Sequence, residues 1–306
     1  MTAVVGRGGD RLTYTRLFDP DADEPPAAAD GVERDDGSAY VFDDEDLVLA
    51  VNIAIAARRC LLVLGPAGAG KSSLAANVAR ILGVPYFVQT ITSRVQAQDL
   101  LWKTDLVRRL NDAQARTLRP DEDYREEGVL WQAFRAQAPA LAAGKATSAT
   151  APRTSCVVLL DEIDKADADV TDGLLVPLDA RSFVGPDGEV VRSGDGQPLI
   201  IITSNNEREL SKPFLRRCVV ATLKPPTRDH LVAVAEAKFG EDALHTAVAA
   251  LFMQVWGTAH SAGAHEPNTA EFLDAVRSCQ EMAIQPGSRE WDALERLVLA
   301  KEQRGS

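Results

Sequence analysis

One stretch constrains this chain more than any other: Cys60-Leu61-Leu62-Val63-Leu64 runs straight into Gly65-Pro66-Ala67-Gly68-Ala69-Gly70-Lys71-Ser72. A short continuous apolar run closed by Gly-Pro reads as a buried strand. KSSLAANVARIL, over 71–82, has helical spacing and stops at Gly83, a helix-ending residue. Between them the octet satisfies G-x-x-x-x-G-K-[ST] in the strand–loop–helix context that the motif requires. The glycines let the backbone curl so that N–H groups face phosphate oxygens, and the helix adds its positive N-terminal end. Lys71 is expected to reach the β- and γ-phosphates and Ser72 to ligate Mg²⁺. Gly65 through Lys71, with Ser72 and Ser73, are the candidate nucleotide contacts. A chance glycine-rich turn is the alternative, and the context disfavours it.

A second element, CVVLLDEID over 156–164, is an apolar run ending in two acids. Carboxylates at the C-terminal edge of a parallel sheet stand where ligands of such folds bind. Asp161 is expected to orient Mg²⁺ through its water shell and Glu162 to polarise an attacking water. Apolar strands followed by acids are common; what adds weight here is the phosphate loop about 90 residues upstream. IIITSNN, over 200–206, ends another apolar run, and Asn205 could place an amide near the γ-phosphate. By itself Ser-Asn-Asn is more often a turn. Phe214-Leu215-Arg216-Arg217-Cys218 puts two arginines just before a further strand. They are either solvated or offered to a neighbouring subunit's nucleotide, and the order and spacing of all four elements favour the latter.

The remaining pattern fits this frame. Strands are expected at 60–64, 86–91, 156–160, 198–204 and 218–223, alternating with helices, which implies a five-stranded parallel sheet covered on both faces. Residues 181–192, RSFVGPDGEVVR, read as a hairpin, 95–118 look helical, and 139–155 look like a loop. Beyond Pro225-Pro226 only helices are expected, at 227–239, 241–259, 267–284 and 288–303, forming a separate lid. The domains are thus a leader over 1–39, an α/β core over 40–224 and a helical lid over 225–306. Net charge is −12, but residues 19–46 hold twelve acids and one arginine. The acidity therefore belongs to one Pro- and Ala-rich segment. It is expected to be a mobile leader without core-forming residues, removable at no cost in stability; an acidic docking tail is the sharper alternative. The chain starts without an apolar signal core, no apolar run reaches membrane-span length, and Cys60, Cys156, Cys218 and Cys279 read as reduced core residues. A cytoplasmic location follows as an expectation.

On the phosphate loop, LLDEID, TSNN and FLRRC, supported by the hairpin before TSNN, the sequence resembles an AAA+ ATPase over residues 40–303. On the softer signals of QDLLWKTDLVRRLNDAQ, the hairpin and the C-terminal helices, it resembles the MoxR-type branch. The resemblance implies a P-loop NTPase three-layer sandwich with a small helical lid, a hexameric ring with ATP between subunits, and ATP with Mg²⁺ as cofactors. It casts Asn205 as sensor 1, and Arg217 as the arginine finger with Arg216 as the alternate. It also implies an insertion after the second strand facing the ring pore, and a client protein carrying a von Willebrand A domain. The chain departs from the pattern where the lid helix reads Glu266-Pro267-Asn268-Thr269-Ala270-Glu271-Phe272. No sensor-2 arginine stands at its start, and Arg277 is almost three turns in.

The favoured expectation is an ATP-driven remodelling enzyme acting on a protein. A nucleotide-gated assembly switch with slow hydrolysis, a nucleic-acid motor and a small-molecule kinase are the alternatives. The basic residues Arg94, Lys103, Arg108, Arg109, Arg116 and Arg119 keep the motor in view, but interleaved Asp99, Asp105 and Asp112 favour a solvated face. His260, His265 and Glu266 do not have the spacing of a metal site.

Overall fold

The computed structural model describes residues 14–21, 40–136, 154–194, 196–264 and 266–301. In chain order the elements are α1 (Glu45–Ala57), β1 (Cys60–Leu64), α2 (Lys71–Leu82), β2 (Tyr86–Thr90), β3 (Trp102–Thr104), α3 (Leu106–Gln114), β4 (Arg125–Glu127), α4 (Val129–Arg135), β5 (Thr154–Asp161), α5 (Ala168–Ala180), β6 (Ser182–Val184), β7 (Val190–Arg192), β8 (Gln197–Ser204), α6 (Lys212–Leu215), β9 (Cys218–Thr222), α7 (Arg228–Phe239), α8 (Ala243–Ala262), α9 (Thr269–Met282) and α10 (Arg289–Leu294), with a π-helical turn over Glu295–Leu299.

Five strands form one all-parallel sheet in the order β2-β5-β8-β1-β9. The central strands β1, β5 and β8 are covered on both faces, which is why they read as continuous apolar runs instead of alternating ones, while the edge strands β2 and β9 are only partly buried. The pleat divides each run between two cores. Leu62, Val158, Leu160, Ile200 and Ile202 pack with Trp131, Phe134 and Phe214 on one side, while Leu61, Val63, Val157, Leu159 and Ile201 pack with α1 and α2 on the other. A third core, centred on Phe252, Phe272 and Trp291, is built from α7–α10 with Ile284 and with Leu299 of the π-helical turn. The architecture is the P-loop α/β sandwich with C-terminal helices that the sequence leads one to expect.

The order β2-β5-β8-β1-β9 places β1 between β8 and β9, so the C-terminal ends of β1, β5 and β8 open on one edge. The phosphate loop, LLDEID and TSNN each leave a strand there or enter the following turn, whereas FLRRC precedes β9 and so lies at the opposite, N-terminal edge, beside Arg59 just before β1. Two short antiparallel ribbons decorate this frame. In one, β6 pairs with β7 from Ser182↔Arg192 to Val184↔Val190. It is the hairpin expected over 181–192, anchored by Phe183 against Trp131 with ring centroids 5.2 Å apart. The other, β3–β4, lies inside the region expected to be one helix. Only 106–114 of 95–118 is α-helical, because Asp105 caps a new helix through Arg108 N–H after Trp102–Thr104 has paired with Arg125–Glu127. The loop expected over 139–155 falls outside the described residues through 153; Thr154 and Ser155 already belong to β5.

The acidic leader needs a correction. Residues 1–13 and 22–39 lie outside the described residues, but 14–21 are packed on α1. Phe18 is fully buried, edge-on to Phe42 at 5.3 Å. Asn52, a buried amide within an otherwise apolar helix face, accepts from Leu17 N–H at 2.6 Å and Phe18 N–H at 2.9 Å, and donates to Phe18 C=O at 2.8 Å. Arg16 forks onto both oxygens of Glu45. Core-forming residues do therefore occur in the leader, and its average composition hides them. Phe18→Ala is expected to cost about 3 kcal/mol and lower the melting temperature by several degrees, as read by calorimetry. Deletion of 1–38 should do at least as much, and an unchanged transition would contradict the docking.

Candidate nucleotide site

The loop after β1 is held open by conformation. Gly68 and Gly70 have φ of 72° and 82°, a region where L side chains are strained. A Cβ at Gly68 would also lie 2.4 Å from the Asn268 side chain. Gly70 is the N-cap of α2 and makes no side-chain cap bond, so the helix's first N–H groups are left to a ligand.

Lys71 is buried. Its ammonium donates to Gly65 C=O at 2.8 Å, Pro66 C=O at 2.6 Å and Asn205 Oδ1 at 2.7 Å. Burial pulls its pKa down, opposed by the carboxylates of Asp161, Asp164 and Glu162. The expected pair of Asn205 and Lys71 thus meets in space although 134 residues separate them. Ser72 Oγ lies 3.0 and 2.9 Å from the two oxygens of Asp161. A hydroxyl and a carboxylate this close make an all-oxygen donor set, which suits Mg²⁺ held partly by protein and partly by phosphates. Glu162 follows in the left-handed conformation, φ 62° and ψ 48°, with Oε2 2.6 Å from Lys165 Nζ.

These groups line one cavity of about 340 Å³ together with Tyr40 and Val41, His230, Val234 and Lys238 of α7, and Thr269, Ala270 and Leu273 of α9. The size suits a nucleotide. The α7 residues recur every four positions, so they share one helix face. Tyr40 packs on Phe42 with centroids 4.7 Å apart, and its ring would stand 3.3 Å from a Cβ at Gly70. Burial, and then the carboxylates of Asp43 and Asp44, raise its pKa and keep the phenol neutral. The C-terminal helices are tied to the sheet domain by His230 Nδ1 of α7, 2.7 Å from Asp43 Oδ2.

A sequence model of the AAA domain, dynein-related subfamily, matches residues 60–218, half of the chain. The chain belongs to that AAA family. Comparison with solved structures returns two forms of RuvB from Thermotoga maritima: a variant at 16% identity, covering 79% of this chain and 69% of that one with a TM-score of 0.43, and the Holliday junction branch migration motor at 18% identity, covering 81% and 71% with a TM-score of 0.40. A protein of Cytophaga hutchinsonii assigned as an ATPase aligns at 12% identity over 82% and 79%, with a TM-score of 0.41. No curated protein matches the sequence significantly.

In this AAA domain the two arginines of FLRRC differ in freedom. Arg217 Nη1 donates to Pro213 C=O at 2.9 Å, and Nη2 lies 3.6 Å from Asp179. Arg216 is exposed; its backbone carbonyl accepts from the Arg59 guanidinium. Neither lines the nucleotide cavity of its own chain. Arg277 sits over the Phe239 ring, 5.8 Å from its centroid, within the lid. His260 bonds Glu266 at 2.8 Å, and His265 lies outside the described residues.

Three residues that sequence reasoning passed over organise the site. Thr203, Asp164 and Tyr40 each act across elements distant in sequence. Asp164 Oδ2 accepts from Asn205 N–H at 2.9 Å and Glu207 N–H at 3.0 Å, so an acid that read as the tail of LLDEID fixes the turn carrying Asn205. The only hint in sequence is that Asp164 and Thr203 are polar residues beside runs that are otherwise apolar. Because Lys71 is the cation nearest the phosphate loop, Lys71→Ala is expected to weaken ATP binding by an order of magnitude or more. Titration calorimetry checks this, and unchanged affinity would remove the basis for the site.

Proposed function

We propose that this AAA domain hydrolyses ATP in a ring of identical subunits and uses the cycle to remodel a protein partner. The observation that carries the reading is the convergence of Lys71, Ser72, Asp161, Glu162 and Asn205 around one cavity, with the arginines of FLRRC outside it. Lys71 would exchange its carbonyl and amide acceptors for β- and γ-phosphate oxygens. Ser72 and Asp161 would hold Mg²⁺, which neutralises phosphate charge when bound. Glu162 would leave Lys165 to polarise the attacking water, and Asn205 would contact the γ-phosphate. A guanidinium from the next subunit would then stabilise charge developing there. Of the two candidates, Arg216 needs to break no side-chain hydrogen bond of its own chain, whereas Arg217 must leave Pro213 and Asp179.

Within this proposal the MoxR-type branch, a hexamer, a von Willebrand A domain client and a cytoplasmic location are the finer assignments. The four cysteines are free thiols, and three are buried, which accords with a reducing compartment. No described helix is long and apolar enough to cross a membrane. The β3–β4 ribbon and α3 follow the second strand, where the pore-facing insertion is expected. The basic residues there are largely engaged locally, Lys103 with Glu126 at 2.8 Å and Arg109 with Asp121 at 3.0 Å. That favours a protein client over nucleic acid. A switch with slow turnover is the second reading, and α9 keeps it in play: its N-terminus meets the phosphate loop through Asn268, without an arginine.

Glu162→Gln keeps the shape of the site and removes the base. Binding of ATP should persist while turnover falls to near zero; hydrolysis at the wild-type rate would exclude Glu162 from the role. Sharing of the site is tested by mixing. Lys71→Ala subunits donate an arginine but bind ATP poorly, and Arg216→Ala or Arg217→Ala subunits bind ATP but lack one guanidinium. Removal of the finger should cost roughly 10³–10⁵ in rate, and lysine should not replace it. Mixed assemblies should recover activity with only the variant lacking the true finger. If subunits exchange and neither mixture recovers, the arginines act within their own chain.

A further inference from the structure

Asp161 and Glu162, the carboxylates proposed to serve metal and water, are held by a residue that lines no part of the cavity. Thr203, next to last in β8, is fully buried and stands opposite Val63 of β1 in the sheet. Its Oγ1 accepts from the Glu162 backbone N–H at 2.8 Å, and its hydroxyl donates to Asp161 Oδ1. A hydroxyl has one hydrogen and two lone pairs, so a single oxygen serves both neighbours. Valine would fill the same space in a strand whose other inward positions are Leu199, Ile200, Ile201 and Ile202. A buried hydroxyl there is explained by those two bonds and by nothing in the packing.

Both bonds fall where they matter. Asp161 also meets Ser72 through its two oxygens, so the Thr203 bond sets the carboxylate's direction toward Ser72. Glu162 occupies φ 62°, a conformation that costs a non-glycine residue free energy and persists only where surrounding bonds hold it. We infer that Thr203 is the positioning residue of this site. One hydroxyl fixes the carboxylate offered to the metal and the backbone twist that aims the base, so that the two functions are set together. The inference rests on the ATPase reading for its kinetic consequences but not for its structural one.

Thr203→Val removes both bonds and keeps the volume; Thr203→Ser keeps both. In Thr203→Val the binding of ADP without Mg²⁺ should stay within about threefold of wild type. The Mg²⁺ concentration needed for half-maximal tightening of nucleotide should rise, and turnover should fall, each by roughly 10–100-fold, the range seen when supports of metal ligands are removed. Thr203→Ser should restore both. A crystal structure of nucleotide-free Thr203→Val should show Glu162 out of the positive-φ region or Asp161 turned from Ser72. That readout holds even if the chain hydrolyses no ATP, so failure of the proposed activity is distinguishable from failure of this inference. If the valine variant does not fold, Thr203→Cys, similar in volume but a weak donor and acceptor, takes its place with the same expectations. Unchanged Mg²⁺ dependence in the folded variant, a serine variant that does not recover the wild-type Mg²⁺ dependence, or an unmoved Asp161–Glu162 backbone would each overturn it.

Discussion

The site depends on where the Lys71 ammonium is placed. A cation this deep in the chain has lost most of its water, and its three acceptors, Gly65 C=O, Pro66 C=O and Asn205 Oδ1, replace that hydration. Two belong to its own loop and one to the turn after β8. The same contact therefore closes the phosphate loop and ties it to the strand that carries Thr203. In the proposed function a phosphate would compete with acceptors already at hydrogen-bond distance, so binding would exchange partners and would not need to desolvate a free lysine. Such preorganisation is how a site stabilises transferring phosphoryl charge without rearranging during the reaction.

From Lys71 the order passes across the sheet. Asn205 is held by Asp164, Asp161 and Glu162 are held by Thr203, and these residues lie at the ends of β5 and β8, which are hydrogen-bonded neighbours. The parallel order β2-β5-β8-β1-β9 makes this possible, since strands distant in sequence finish side by side on one edge. The lid reaches the same edge through Asn268, whose side chain caps α9 by accepting from Glu271 N–H at 3.0 Å while lying against Gly68. Where an arginine would read the phosphates by charge, this chain has a short amide packed against the loop's backbone.

Much of this was legible in the sequence, for identifiable reasons. The central strands β1, β5 and β8 are buried on both faces, so each is a plain apolar run, while the edge strands β2 and β9 are only partly buried; the loop between β1 and α2 carries a motif whose glycines supply its positive-φ turns. The β3–β4 ribbon was not legible because strands of three residues, Trp102–Thr104 and Arg125–Glu127, are too short to show a period-two pattern. Phe18 was hidden by the acids around it; Asn52 in LVLAVNIAIAA was the available signal, a polar residue on a buried face needing a partner from elsewhere. Thr203 and Asp164 gain their roles only from strand pairing, which no local pattern encodes. The difference between Arg216 and Arg217 likewise depends on Pro213 and Asp179 and could not be read from two adjacent identical residues.

The proposal turns on whether the active site is complete only between subunits. The most direct measurement is ATP turnover per subunit as a function of protein concentration, with assembly state followed by analytical ultracentrifugation in the same buffer. The account predicts that turnover per subunit is near zero in dilute monomer and rises in step with assembly. Constant turnover per subunit across a range in which the chain passes from monomer to oligomer would contradict it.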